Sequence, residues 1–332
     1  MFPSRRRHPY LPYRREDSNI FYPALIDFTL SPLLNRLIGE ERRLVEKMLA
    51  GVRRNYPAYE SLRQSGLYNF YRTNPPDAYP NGYLLRHLKH FRLAEDADDT
   101  VMISTVLDDL PAEQIGLLRA ELVRFSNRPE RKYHHPLPGY AQIPAHAVWL
   151  GTGAMPVEID VCVLCNILYF TAKKGCAFND TDRASLAFIR QAVTTGDVFR
   201  YPFQLSYYYP DPTVILYHVA RLWSVLPGAE EELPREEIVT GLRRRSGEES
   251  NLVARLMLGS ALRKMGEEVE PIHYTAPEFA TAGKAFTFFI APMLAGTRSR
   301  IMNKLAERRL FQVDYVCEAY YYALALEYEL LR

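Results

Sequence analysis

The feature that most constrains the fold is a repeated helical pattern. Apolar residues recur at spacings of three and four from Ile20 to Leu331, and no stretch of any length alternates between apolar and polar residues as a strand does. Seven apolar segments carry an acidic residue near their start, and they begin near Asp17, Asp96, Glu158, Pro210, Glu248, Ala276 and Val313. This pattern predicts a nearly all-α protein.

More polar segments lie between several of these apolar ones, and each has one apolar and one wet face. They begin at Gly39, Pro111, Asp180 and Pro234. Buried helices that alternate with amphipathic ones are typical of two concentric rings. We therefore predict an all-α fold, an α/α barrel or toroid of inner and outer helices, in a single domain over residues 17–332. The Pro- and Gly-rich stretch 126–156 is expected to be a rim loop or lid.

Composition limits the partners and the compartment. The chain has 332 residues, of which 48% are hydrophobic and 24% charged, and no run reaches the ~20 apolar residues that span a bilayer. No apolar core follows the basic start, so a secretory signal is not expected and we predict a soluble, cytoplasmic protein. The net charge of +2, without a basic stripe, argues against a nucleic-acid partner.

The basic, Pro-rich residues 1–16 are predicted to form a flexible arm. Such an arm would be suited to cover a substrate diphosphate or to make peripheral contact with anionic lipid. The sequence carries no prediction of the oligomeric state.

An acidic cluster, Glu95, Asp96, Asp98 and Asp99, stands directly before an apolar helix. An N-cap explains one aspartate, because its carboxylate accepts from the free N–H groups of the first turn. Three aspartates set this closely before a dry helix repel one another, however, and one relaxes by keeping its proton. The cluster is therefore expected to store an acidic proton.

The residues Asp96-Ala97-Asp98-Asp99-Thr100 match the D-x-D-D-T motif, and here the chain resembles the class II terpene cyclases, such as squalene-hopene cyclase. The resemblance implies an α/α barrel with the motif on an inner helix. It further implies that Asp98 donates the proton to an alkene or epoxide, while Asp96, Asp99 and Thr100 tune and orient it.

The chemistry of alkene protonation agrees with the motif and the composition. It needs an undissociated acid in a dry pocket and electron-rich faces around the carbocation, which aromatic rings supply. The chain has 23 Tyr, 16 Phe and 2 Trp. Asp160 and Asn166 lie in the next inner-helix segment, and a His could hold or reprotonate the donor. We predict that the substrate cavity includes Trp149, Asp160, Asn166, Tyr169, Tyr209, Tyr217, His218 and Phe289.

The chain departs from the family in two respects. The glutamine- and tryptophan-bearing repeats of the triterpene cyclases are missing, since Trp149 and Trp223 are the two tryptophans, and the length suffices for a single barrel. We therefore expect a compact, single-barrel relative that cyclises an isoprenoid of C15 or longer. It would need no redox cofactor and no metal site, and Mg²⁺ would matter only if the substrate carries a diphosphate.

The same letters leave alternatives open. Glu95-Asp96-x-x-Asp99 also fits the diphosphate-binding motif of class I terpene synthases, but no second metal motif follows at a suitable spacing. Asp96-x-Asp98-x-Thr100 fits the motif of haloacid dehalogenase-type phosphatases, which requires a preceding strand. Two other classes are a non-catalytic barrel that binds an isoprenoid or a peptide, and an α/α-barrel glycosidase with two carboxylates.

Overall fold

The computed structural model describes residues 2–75, 94–130, 136–151, 157–294 and 299–332. Its regular elements are, in chain order, β1 (Ser4–Arg7), β2 (Arg14–Asp17), α1 (Phe21–Leu30), α2 (Gly39–Arg53), α3 (Ala97–Val106), α4 (Ala112–Arg124), α5 (Val161–Lys173), α6 (Asp180–Thr194), α7 (Asp197–Arg200), α8 (Pro202–Leu205), α9 (Pro212–Trp223), α10 (Ala229–Glu232), α11 (Arg235–Glu248), α12 (Leu252–Lys264), α13 (Ala276–Ala285), β3 (Phe289–Pro292), α14 (Arg300–Ala306), β4 (Gln312–Val316) and α15 (Glu318–Leu330). Short 3-10 helices cover Ser31–Arg36, Tyr56–Tyr59 and Arg309–Phe311. The protein is mostly helical, as the periodicity predicts.

Six helices form a closed ring. Helix α1 packs on α3, α3 on α5, α5 on α9, α9 on α12 and α12 on α15, and α15 packs back on α1. These helices are buried nearly all round; in α1 every residue from Phe21 to Leu30 is buried. Six of the seven predicted inner segments therefore supply the ring.

The seventh predicted inner segment, α13, lies outside the ring and packs on α12. Within it only Phe279 and Gly283 are buried, so α13 is an outer helix, and the aromatic residues that follow it enter strand β3 instead of extending the helix. The predicted amphipathic helices α2, α4, α6 and α11 are confirmed, each with a narrow buried face.

Side-chain caps explain why a polar residue precedes so many apolar helices. Asp96 caps α3, Asp160 caps α5, Asp211 caps α9 and Asn251 caps α12, each by accepting from backbone N–H groups of the first turn. The polar residue that precedes each of these apolar segments in the sequence therefore marks the start of a helix.

A four-stranded antiparallel sheet, in the order β2-β1-β4-β3, corrects the all-α prediction. Each strand has four or five residues, too few for alternation to stand out against a helical background. Residues 4–7 and 14–17 belong to this sheet, so the segment 1–16 is not a flexible arm. The Arg6 side chain is completely buried, and its Nε lies 3.1 Å from Asp17 Oδ1.

The described part of the predicted rim loop, residues 126–130 and 136–151, is mostly exposed between 128 and 144 and buried from 145 to 151. Its segment 145–150 is buried and pairs with the start of α3, through Asp96 and Trp149. The rest of that prediction, 131–135 and 152–156, lies outside the described residues. Among the described helices, none combines the length and apolarity that crossing a membrane requires. The single-domain assignment of residues 17–332 stays a prediction.

Candidate functional site

A cavity of about 260 Å³ lies between the sheet and the N-terminal ends of α1, α3 and α5. Its walls are mainly aromatic, and they include the two acidic residues Asp96 and Asp98. The lining residues are Phe21, Phe70, Asp96, Asp98, Val148, Trp149, Val163, Tyr208, Tyr209, Phe289, Ala291, Pro292, Met293 and Tyr315. Seven other segments of the chain therefore converge on the start of α3.

Asp96 is the helix cap of the cluster. Its Oδ1 accepts from the N–H of Asp98 at 2.8 Å and from the N–H of Asp99 at 3.3 Å. Burial, and next the charge of Asp98, raise the pKa of Asp96 to about 8, although the two N–H donors oppose this shift. The capping interpretation thus accounts for Asp96 and for neither of the other aspartates.

Asp98 lies buried at the wall of the cavity. Its residue is 4% exposed and lines the cavity, so the carboxyl is shielded from bulk water. Oδ1 accepts a hydrogen bond from Asn166 Nδ2 at 2.5 Å, and Oδ2 accepts one from the Tyr209 hydroxyl. Burial raises the pKa of Asp98, while Tyr209, Asn166 and the Arg221 charge act in the opposite direction.

Arg221 fixes the orientation of Asn166. The guanidinium is 3% exposed and donates to Asn166 Oδ1 at 2.6 Å. Because arginine can only donate, the amide oxygen must face Arg221 and the amide nitrogen must face Asp98. The proton of a neutral Asp98 therefore belongs on Oδ2.

Asp99 and Thr100 turn away from the cavity. Asp99 is completely buried, and neither of its carboxyl oxygens has a hydrogen-bond partner among the described residues. Burial, reinforced by Asp96 and Asp98, raises the pKa of Asp99 well above its ordinary value. The Thr100 hydroxyl accepts from the N–H of Tyr68 at 2.9 Å. This hydrogen bond joins the segment that contains Tyr68 to α3.

Asp160 holds a cavity wall in place. Its carboxylate caps α5 and also accepts from the Ser206 hydroxyl at 2.7 Å and the Tyr208 N–H at 3.1 Å. Burial raises its pKa to about 7. Asp160 therefore fixes the chain that carries Tyr208 and Tyr209 against α5 without lining the cavity itself.

Aromatic rings form the remaining walls. Phe289 contacts Phe21 with ring centroids 4.5 Å apart and Tyr209 at 5.4 Å. Trp149 and Tyr208 both donate to the buried Glu158 carboxylate, at 2.9 and 2.6 Å. Their polar atoms are thereby satisfied, which leaves their rings as apolar wall.

The other predicted substrate-binding residues do not line this cavity. His218 packs behind Tyr209 with ring centroids 5.2 Å apart, and burial lowers its pKa well below the ordinary value, so it is neutral. Tyr217 donates to Glu327 at 2.8 Å, and Tyr169 packs edge-on to Phe28. All three lie among the side chains between the ring helices, because the cavity occupies only the sheet end of the ring.

The carboxyl oxygens of the cluster do not converge as metal ligands do. The Asp96 carboxyl accepts from backbone N–H groups, and the Asp98 carboxyl accepts from Asn166 and Tyr209. The Asp99 carboxyl has no hydrogen-bond partner among the described residues. In the described ranges, no three His, Cys, Asp or Glu side chains are grouped so that they could hold a metal ion.

Sequence reasoning missed Arg221, Glu158 and the sheet residue Tyr315. A signal for Arg221 was available, since an arginine inside the apolar run of α9 must find partners when buried. The signal for Tyr315 was absent, because it depends on β4 pairing with an N-terminal strand.

The site thus joins a buried carboxyl, a fixed amide and an aromatic cavity in one place. No protein-family model, curated protein or solved structure matches the chain.

Proposed function

We propose that the protein cyclises an isoprenoid by protonating it at Asp98. The observation that carries this proposal is a buried carboxyl, held by Asn166 and Tyr209, that lines a cavity with aromatic walls. A helix cap alone does not account for it, because Asp96 performs the capping. The geometry is what the resemblance to class II terpene cyclases implies for the middle aspartate of the motif.

We further infer that the closed ring of six helices is a compact α/α barrel. The outer helices α2, α6, α11 and α13 each pack on a ring helix, which supports two concentric layers. The sheet then covers the end of the barrel at which α3 and α5 begin. In this arrangement the caps Asp96 and Asp160 stand beside the cavity.

The reaction would begin with transfer of the Oδ2 proton to an alkene carbon. The Asp98 carboxylate that remains would be stabilised at once by the two hydrogen bonds from Asn166 and Tyr209, with Arg221 behind the amide. Such donors are already oriented, so they stabilise the developing charge without reorganising. The carbocation would form among the rings of Phe21, Phe289 and their neighbours.

The cavity volume favours a short isoprenoid. About 260 Å³ lies at the lower end of small-molecule sites, which span roughly 300–1,000 Å³. A cyclisation that returns its proton is an isomerisation, so no redox cofactor is needed. Mg²⁺ would serve only to bind a diphosphate on the substrate, and the cluster carboxylates are not arranged to hold it.

The test is to incubate the protein with isoprenoids of graded length, with and without diphosphate, and to analyse the organic extract by gas chromatography and mass spectrometry. Asp98→Asn is expected to lower the rate at least about 100-fold, because the general acid is lost. Asp108→Asn, the same substitution at an exposed position just beyond α3, is the control and should cyclise at the wild-type rate. Equal turnover by wild type and Asp98→Asn would contradict the proposal.

A further inference from the structure

A second polar chain reaches the cavity from the sheet side. Tyr315 lines the cavity, and its hydroxyl oxygen lies 3.0 Å from that of Tyr71. The Tyr71 hydroxyl donates in turn to Asp17 Oδ1 at 3.3 Å. The Asp17 carboxylate is buried and also contacts Arg6 and Asn19, at 3.1 and 2.6 Å.

The direction of the hydrogen bonds in this chain is determined. An ionised carboxylate only accepts, so the single Tyr71 hydrogen points to Asp17. Tyr315 must then donate its own hydrogen to Tyr71. The hydrogen bonds from Tyr315 to Tyr71 and from Tyr71 to Asp17 therefore form a continuous path for a proton from the cavity wall to Asp17.

This chain and the Asp98 acid stand on different walls of the same cavity. The Tyr209 ring, whose hydroxyl binds Asp98, contacts the Phe289 ring at 5.4 Å, and Phe289 contacts the Tyr315 ring at 5.2 Å. Phe289 thus separates the proton donor from the Tyr315 hydroxyl. A chain folded over Phe289 would reach both walls.

Resting on the proposed function, we propose that Tyr315 accepts the proton that ends the cyclisation. A C–H bond next to the final carbocation breaks, and its electron pair forms the new C=C bond. The proton bonds to the Tyr315 oxygen, while the Tyr315 hydrogen passes to Tyr71 and the Tyr71 hydrogen to Asp17. Asp98 has then lost one proton, Asp17 has gained one, and the substrate has been isomerised.

The Arg6 guanidinium lies 3.1 Å from the Asp17 carboxylate and supplies a positive charge beside it. Residues 14–16 and 18, on either side of Asp17, are exposed, so the accepted proton is released close to solvent. The product class follows from this arrangement: a cyclic olefin, since the cation loses a proton before water adds to it.

The experiment compares the products of wild type, Tyr315→Phe and Tyr71→Phe in buffer made with ¹⁸O water. The proton transfer from Asp98 does not use either hydroxyl, so substrate should still be consumed while the product changes. The single olefin should be replaced by a mixture of olefin isomers and alcohols that carry ¹⁸O. Tyr22→Phe is the control, because its hydroxyl donates to the Tyr315 carbonyl and lies outside the cavity lining. It should keep the wild-type product.

Melting temperatures establish that each variant is folded. A wild-type product profile from folded Tyr315→Phe and Tyr71→Phe would overturn the inference and leave protonation by Asp98 standing. Loss of consumption in folded Tyr315→Phe would also overturn it, because Tyr315 would then act in binding or initiation. If wild type itself consumed no isoprenoid, both the inference and the proposed function would fall.

Discussion

At the scale of single residues, the oxygens of Asp98 are not equivalent. Arg221 orients the Asn166 amide, which occupies Oδ1, and this leaves Oδ2 as the position from which a proton can leave. Tyr209 meets that same oxygen and is also part of the cavity wall. One hydroxyl group therefore contributes both to the acidity of the donor and to the surface that the substrate contacts.

If Asp98 is the proton donor we propose, the Tyr209 hydroxyl should set the pH range of activity. It favours the ionised form of Asp98 and so lowers a pKa that burial raises. Only protonated Asp98 can donate, so the rate should fall as pH rises through that pKa. Tyr209→Phe should move the alkaline limb of the pH–rate profile to higher pH and lower the maximal rate, because the carboxylate product is less stabilised.

The measurement is the rate of cyclisation against pH. Tyr56→Phe is the matched control: its hydroxyl donates to another buried carboxylate, Asp27, at 2.7 Å, remote from the cavity lining. Its profile should coincide with that of wild type. A shift of the Tyr209→Phe limb to lower pH would show that the hydroxyl does not stabilise the Asp98 carboxylate.

At the scale of elements, the N-caps differ in how much structure they hold. Asp160 accepts from two backbone N–H groups of α5, from Ser206 and from the Tyr208 N–H, all in the core. Asp211 caps α9 with a side chain that is 48% exposed. The first cap joins two elements of the site, whereas the second serves mainly its own helix.

Asp160→Ala should therefore cost about 2–4 kcal/mol of unfolding free energy, the sum of a cap and of buried hydrogen bonds. Asp211→Ala should cost only about 1 kcal/mol. Urea denaturation measures both losses. Turnover should fall in the Asp160 variant, because Tyr208 and Tyr209 lose their anchor, and should persist in the Asp211 variant. Equal losses of stability would contradict the joining role of Asp160.

The elements also show what the sequence could predict. The ring helices and the four amphipathic helices follow from periodicity and caps, and the motif at Asp96–Thr100 points to the buried carboxyl that lines the cavity. The sheet could not be predicted, because its short strands are defined by partners far along the chain. The cavity residues Phe70 and Tyr315 depend on that pairing, and Arg221 required knowledge of which face of α9 meets Asn166. His218, Tyr169 and Tyr217 do not line the described cavity, because helical spacing gives a residue's face but not its depth in the ring.

At the scale of the whole molecule, the N-terminal hairpin pairs with β4 through its strand β1, and a buried ion pair joins the two strands of the hairpin. Arg6→Ala leaves Asp17 buried without its cation and should cost about 3–5 kcal/mol of unfolding free energy. Arg5→Ala, one residue away on the same strand, removes a half-exposed pair with Glu318 and should cost about 0–1 kcal/mol. Guanidinium denaturation measures both. Similar small losses would mean that the hairpin is held only by its backbone ladder.

The sheet determines when, during synthesis of the chain, the cavity can form. Strand β4 lies just before the last helix, yet its neighbour β1 lies near the first residue, and both stand behind the cavity wall. A nascent chain that still lacks β4 contains Asp98 but not the part of the cavity wall that includes Tyr315. The cavity therefore closes only after β4 has been made, so Asp98 is shielded only in a chain that already includes β4.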